Sequence, residues 1–146
     1  MTPAAPLILH ATAVAVDGRA LLIRGASGSG KSGLALEMMA RGARLVSDDR
    51  VVLTLEDGGL WAAPPAPLAG LIEARGLGLL HAAHLPRAEV VALLDLDTPE
   101  TERLPPRRQI MLHSQNLPLL HNVAHPYFPA ALVQYLKGAT RDPENG

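Results

Sequence analysis

Gly25-Ala26-Ser27-Gly28-Ser29-Gly30-Lys31-Ser32 fits the pattern G-x-x-x-x-G-K-[ST], and its reading decides the fold. Each position has a physical task. Glycines let successive backbone N–H groups turn inward as a nest for phosphate oxygens, and a helix starting near Lys31 adds its positive dipole end. Lys31 brings a point charge to the β and γ phosphates, and the Ser32 hydroxyl is suited to ligating Mg²⁺. With this chain's own frequencies of Gly, Lys, Ser and Thr, chance produces such a match in roughly one chain per thousand. The flanks agree with the motif. Ala20 to Ile23 is an apolar run read as a strand, and Ser32 to Arg41 carries Leu34, Ala35, Met38 and Met39 at helical spacing, with Gly42 as its stop. Strand, glycine-rich loop and helix in that order define a phosphate-binding (Walker A) unit of an α/β fold.

Working outward, Thr12 to Val16 alternates and is joined to the next strand by Asp17-Gly18, a two-residue hairpin turn whose positions both favour positive φ. Downstream of the helix, Ala43 to Val46 is a short apolar strand ending in Ser47-Asp48-Asp49. Val51 to Leu55 and Leu60 to Ala62 flank Asp57-Gly58-Gly59, a second hairpin, followed by a proline-rich loop over Pro64 to Pro67. Leu71 to Ala74 reads as a strand leading into Arg75-Gly76-Leu77-Gly78, and Val90 to Leu94 as a buried strand. Thr98 to Arg108 is polar and contains proline, so a mobile loop is expected there. A last helix runs from about Pro129 to Lys137, with Gly138 as its stop. Neither a repeat nor a dividing linker interrupts the pattern, which predicts one domain over residues 1–146 with a frayed tail from Thr140 to Gly146.

Composition narrows the function classes. Of 146 residues, 48% are apolar and 18% charged, enough hydrophobic material for an ordered core. Thirteen Lys and Arg against 14 Asp and Glu announce no basic face for nucleic acid. Only Trp61, Tyr127, Phe128 and Tyr135 are aromatic, too few for base-stacking platforms. With no cysteine, disulfides and thiolate metal sites are excluded. No signal peptide or membrane-spanning run is read, so the expectation is a cytoplasmic protein without nucleic-acid or membrane partners.

Asp48 and Asp49 end a strand one helix after the loop, at the edge where an open α/β sheet binds ligands. This is the Walker B position, placed to hold Mg²⁺ directly or through water. Neighbouring side chains on an extended chain point opposite ways, so one carboxylate can serve the metal while the other accepts a proton from an attacking hydroxyl.

From His10 to Asp49 the sequence resembles the catalytic domain of the HPr kinase/phosphorylase family. The family has a histidine opening a strand some twenty residues before G-x-S-G-x-G-K-S, matched by His10, and then R-G-x-R-L-V-x-D-D, matched by Arg41-Gly42-Ala43-Arg44-Leu45-Val46-Ser47-Asp48-Asp49. A second signature, I-E-[VI]-R-G-L-G, is matched by Ile72-Glu73-Ala74-Arg75-Gly76-Leu77-Gly78. The match covers about Leu7 to Leu80.

The resemblance implies a P-loop kinase domain with a mixed β-sheet. It implies that Lys31 binds the phosphates of ATP and that Ser32 with Glu73 holds Mg²⁺. Asp49 is then the base acting on the serine of HPr, the phosphocarrier of the sugar phosphotransferase system, and the acid in the reverse direction. His10 is the active-site histidine, Arg75 belongs to the catalytic signature, and Arg103, in Glu102-Arg103-Leu104, corresponds to a catalytic arginine. Homo-oligomers are implied as well, since typical members form hexamers.

Two departures stand out. Gly33 occupies a position that is acidic in typical members, and Leu117-Pro118-Leu119-Leu120-His121-Asn122 replaces an arginine-rich segment used in dephosphorylation, which leaves the phosphorylase reaction open. The chain is expected to be a short form, a catalytic domain on its own without the N-terminal domain of typical members. A P-loop kinase of a small metabolite and a nucleotide-sensing module without catalysis remain alternatives. His81 with His84 and His121 with His125 are read as packing or surface histidines rather than metal pairs. Arg107-Arg108 is read as a solvated loop pair rather than a phosphate clamp, and Asp95 and Asp97, which end another strand and could approach the site, as a plain strand end.

Overall fold

The computed structural model describes residues 5–138. The tail expected to fray, Thr140 to Gly146, lies outside them. Eleven strands and two helices follow in order among the described residues: β1 Leu7–Leu9, β2 Thr12–Val16, β3 Arg19–Arg24, α1 Lys31–Met39, β4 Arg44–Ser47, β5 Val51–Glu56, β6 Gly59–Ala63, β7 Leu71–Ala74, β8 Gly78–His81, β9 Ala88–Pro99, β10 Arg108–Leu112, β11 Gln115–Asn122 and α2 Phe128–Lys137. A short 3-10 turn, Ala66–Leu68, lies in the proline-rich loop.

Nine strands form one mixed sheet in the order β1-β5-β6-β9-β3-β2-β4, with β11 also on β9 and β10 on β11. β9 runs parallel to β3 and to β11, and the remaining pairings are antiparallel. The fold is thus an α/β P-loop domain with a mixed sheet. β7 and β8 make a separate two-stranded sheet.

Alternation along the central strands divides the core. Val14 and Val16 of β2 with Leu21 and Ile23 of β3 pack with Ala35, Met38, Leu132, Val133 and Leu136, the inward stripes of the two helices. Ala13, Ala15, Ala20 and Leu22 face the other way, toward Val51, Leu53, Leu60 and Leu117. On β9 the alternation slips by one at a register shift, where Ala20 pairs with Val90 and Leu21 with Ala92. The bulge lets Val90 and Leu93 share one face while Ala92 and Leu94 share the other.

Several local signals act as expected. Asp17-Gly18 and Asp57-Gly58 all have positive φ and close the two hairpins, Gly59 being already the first residue of β6. After α1, Gly42 adopts φ 105° while its N–H donates to Met39 O and that of Ala43 to Met38 O, the paired bonds of a glycine helix stop. Gly138 differs, since it leaves α2 in an extended conformation, and Arg19 Nε instead donates to the carbonyl of Leu136 at 2.8 Å.

The segment expected as a loop from Thr98 to Arg108 is a connection without strand or helix over residues 100–107, with its two ends taken up by strands. β9 continues to Pro99 and β10 starts at Arg108. Between them Glu100, with its side chain 8% exposed, forms an ion pair with Arg108 at 2.5 Å and lies 4.0 Å from His121 Nδ1. Arg108 is therefore a paired, half-buried cation and not a solvated loop residue. Burial pushes the Glu100 carboxyl up, but the N–H groups of Glu102 and Thr101 and the Arg108 guanidinium outweigh it and hold the group below the usual carboxylate range.

Candidate active site

The loop from Gly25 to Gly30 leaves the end of β3 and enters α1 with Gly28 at φ 80° and Gly30 at φ 101°. These left-handed turns are open to glycine and aim backbone N–H groups into a concavity. Gly25 is needed for a different reason. A Cβ there would sit 2.5 Å from Ser29 Oγ and 3.2 Å from Leu96 Cβ, so the loop closes on itself and on β9 only without a side chain. Lys31 is 8% exposed, and its Nζ donates to Gly25 O at 2.9 Å and Ala26 O at 3.2 Å.

β2 runs antiparallel to both β3 and β4, which brings the carboxyl ends of β3 and β4 to one edge together with the start of β2. Asp48 there is 6% exposed, and its Oδ1 accepts from Ser32 Oγ at 2.7 Å and Thr12 Oγ1 at 2.8 Å. Its Oδ2 accepts from Glu73 N at 3.0 Å, tying β7 to the same carboxylate. Asp49 is exposed and lies 2.9 Å from His10 Nε2 through Oδ1. The two carboxylates do diverge, but Asp49 does so from a left-handed backbone at φ 73° and not from an extended one. Such a conformation costs a non-glycine residue roughly 1–2 kcal/mol, and aspartate is among the residues that tolerate it best.

A cavity of about 430 Å³ opens over these groups. Its walls bring together Ser27, Gly28, Gly30, Lys31 and Ser32 from the loop and its helix, His10 and Asp49 as the bonded pair, and Glu73 and Arg75 from the β7–β8 hairpin. Glu73 faces outward because β7 alternates, with Ile72 and Ala74 buried on either side of it. The Ser32 hydroxyl and the Asp48 and Glu73 carboxyls make an all-oxygen donor set beside the phosphate nest. Mg²⁺ accepts such a set, needing one or two carboxylates with the rest from phosphate and water. Among the described residues no cluster of three or more His, Asp or Glu forms a metal cage, and a Mg²⁺ shared with phosphates does not require one.

Of the residues singled out in the sequence, Gly25, Ala26, Ser29 and Asp48 are absent from the cavity walls, Asp48 being joined to them by its bonds with Ser32 Oγ and Thr12 Oγ1. Arg103 is exposed in the connection between β9 and β10 and is absent from the cavity walls. One participant escaped sequence reading and another was given the wrong weight. Thr12 became visible only when pairing of β2 with β4 set it against Asp48. Asp97, read as a plain strand end, instead accepts the Ala26 N–H at 2.9 and 3.2 Å through its two carboxylate oxygens.

Known proteins share the sequence and fold of this chain. Residues 3–92 match the model of the HPr Serine kinase C-terminal domain. The HPr kinase/phosphorylase of Streptococcus thermophilus is 44% identical over 84 residues, which cover 57% of this chain and 27% of that protein. That of Clostridium beijerinckii is 46% identical over 77 residues, covering 53% and 26%. The chain thus spans about a quarter of the length of the curated relatives it matches. The solved structure of the Hpr(Ser) kinase/phosphatase from Coxiella burnetii superposes with a TM-score of 0.78 at 27% identity, over 90% of this chain and 88% of that one. With the family model matching more than half of its residues, and with the phosphate loop, Asp49 and Glu73 gathered at one cleft and Asp48 bonded to Ser32 beneath it, the chain belongs to the HPr serine kinase C-terminal domain family.

Proposed function

We propose that this chain is an ATP- and Mg²⁺-dependent serine kinase whose acceptor is HPr or a related phosphocarrier. The observation that carries the reading is the Asp49 carboxylate, bonded to His10 and facing the same cleft as Lys31 and Ser32. Phosphoryl transfer needs positioning, charge neutralisation and one base for the attacking hydroxyl, and these residues divide the work. Lys31 and the backbone nest hold the phosphates. Ser32 and Glu73 would hold Mg²⁺, which would supply neutralisation of charge on the transferring group, while Asp48 fixes the Ser32 hydroxyl and Thr12 fixes Asp48. Asp49 takes the proton of the acceptor serine, His10 orients that carboxylate, and Arg75, which also lines the cleft, stabilises charge. The cytoplasm is the expected setting, because that is where such a carrier would be phosphorylated.

The reverse reaction, in which inorganic phosphate attacks phosphoserine and releases pyrophosphate, uses the same nest with Asp49 as acid. Leu117 to Asn122 lie within β11 and contribute no arginine to it, so we expect reversal to be weak relative to the forward reaction.

Incubating the protein with ATP, Mg²⁺ and HPr-type carriers of its source organism, and reading intact carrier mass, tests the proposal. A phosphate-sized gain on a serine, absent with Lys31→Ala, is the expected result. ATP binding without any carrier modification would overturn it.

A further inference from the structure

We infer that Asp97, at the end of β9, is a positioning residue that holds the Lys31 ammonium through the peptide unit between Gly25 and Ala26. The inference rests on reading residues 25–32 as the nucleotide site. One amide group is gripped at both ends: its oxygen, Gly25 O, accepts from Lys31 Nζ at 2.9 Å, and its N–H, on Ala26, donates to Asp97 at 2.9 and 3.2 Å. A cation on the oxygen and a carboxylate on the hydrogen polarise the same amide in the same sense, so each bond strengthens the other.

The restraint has a reason. Gly25 has no Cβ, so the Gly25–Ala26 peptide plane is free to rotate, and rotation would turn the carbonyl away from Lys31. Lys31 carries its charge on a flexible four-carbon stem and depends on fixed acceptors to localise it. Asp97 is itself fixed. Its N–H donates to Asp95 Oδ1 at 2.9 Å, and Asp95 Oδ2 accepts from Thr98 Oγ1 at 2.9 Å and lies 3.9 Å from Arg24 Nη2. Leu96, between them, is, with Ser29, one of the side chains that a Cβ on Gly25 would meet. The end of β9 thus forms a wall against the first turn of the loop. Asp97 is absent from the cavity walls, so it acts on a bound triphosphate through Lys31 and not by contact.

A double-mutant cycle on ATP affinity tests this, with thermal unfolding followed in parallel. Because Asp97 is exposed, its effect is moderate: Asp97→Ala is expected to weaken ATP binding about fivefold on the parent background, and by less than about twofold on Lys31→Ala. Asp97→Asn, which keeps an oxygen acceptor for Ala26 N–H, should recover about half of the loss on a logarithmic scale. Should Asp97→Ala be poorly folded, Asp97→Asn on the two backgrounds gives the same comparison. Equal weakening on both backgrounds, or parent-like affinity of the Asp97 variants, overturns the inference. If Lys31→Ala itself binds ATP as tightly as the parent, it is the nucleotide-site reading that fails.

Discussion

Replacing Thr12 by valine isolates one hydrogen bond at the floor of the cleft. Thr12 is fully buried, and its hydroxyl donates to Asp48 Oδ1 at 2.8 Å. Valine has nearly the same shape, so little cavity arises, but a methyl group then faces a buried carboxylate. Hydrogen bonds to charged groups contribute about 1.5–3 kcal/mol. Asp48 keeps Ser32 Oγ and Glu73 N as donors, which places the loss in the lower part of that range, about 2 kcal/mol. At about 2.1 cal/mol/K of unfolding entropy per residue, a chain of this length has roughly 0.3 kcal/mol/K, so Tm should fall by about 6 °C. Thermal unfolding by circular dichroism, with urea titration showing a lower midpoint at unchanged slope, measures it. A Thr12→Val protein melting within about 1 °C of the parent would refute the premise that this buried bond supports the carboxylate.

Asp49→Asn keeps a residue tolerant of φ 73° while removing the base, so kcat with a carrier acceptor should drop about 10²–10⁴-fold with ATP affinity nearly unchanged; a parent-like kcat would exclude Asp49 as base. The Glu100 carboxyl is held below its ordinary value of 4.5, so its ion pair adds stability fully above that pH and loses it as pH falls through the depressed folded value. Glu100→Gln should therefore be less stable than the parent at pH 7, with the gap narrowing as pH drops below 4.5, as urea midpoints across pH will show. His113 and Ser114 turn the β10–β11 hairpin at φ 48° and 66°, and glycine at the exposed Ser114 should stabilise by about 0.5–1 kcal/mol, read as a higher Tm.

That last turn shows where sequence reading stopped. Asp17-Gly18 and Asp57-Gly58 carry residues that lower the cost of positive φ, and both hairpins were legible. His113-Ser114 adopts the same left-handed conformation without a glycine, so β10 and β11 gave no local sign. β1, three residues long, and β8, four, are too short for periodicity to register, and they exist because β5 and β7 supply their hydrogen-bond partners. Pro118 lacks an N–H for the ladder, and β11 tolerates it where it pairs with Gln109 in the outer β10–β11 hairpin.

What this sequence carried by itself was the pattern of contiguous segments: the glycine-rich loop in residues 25–32 and the carboxylates that follow β4, whereas Glu73 and Arg75 stood out only through resemblance to a family signature. The loop and the carboxylates depend on backbone freedom and residue type within a few positions, which local sequence encodes. Tertiary structure decided which distant groups meet. His10 reaches Asp49 across 39 positions, and Asp97 reaches Ala26 across 71. The first contact depends on β1 pairing with β5, and the second on β9 lying parallel beside β3. Strand pairing is set by burial of both sheet faces together, a property of the whole core that no single segment carries.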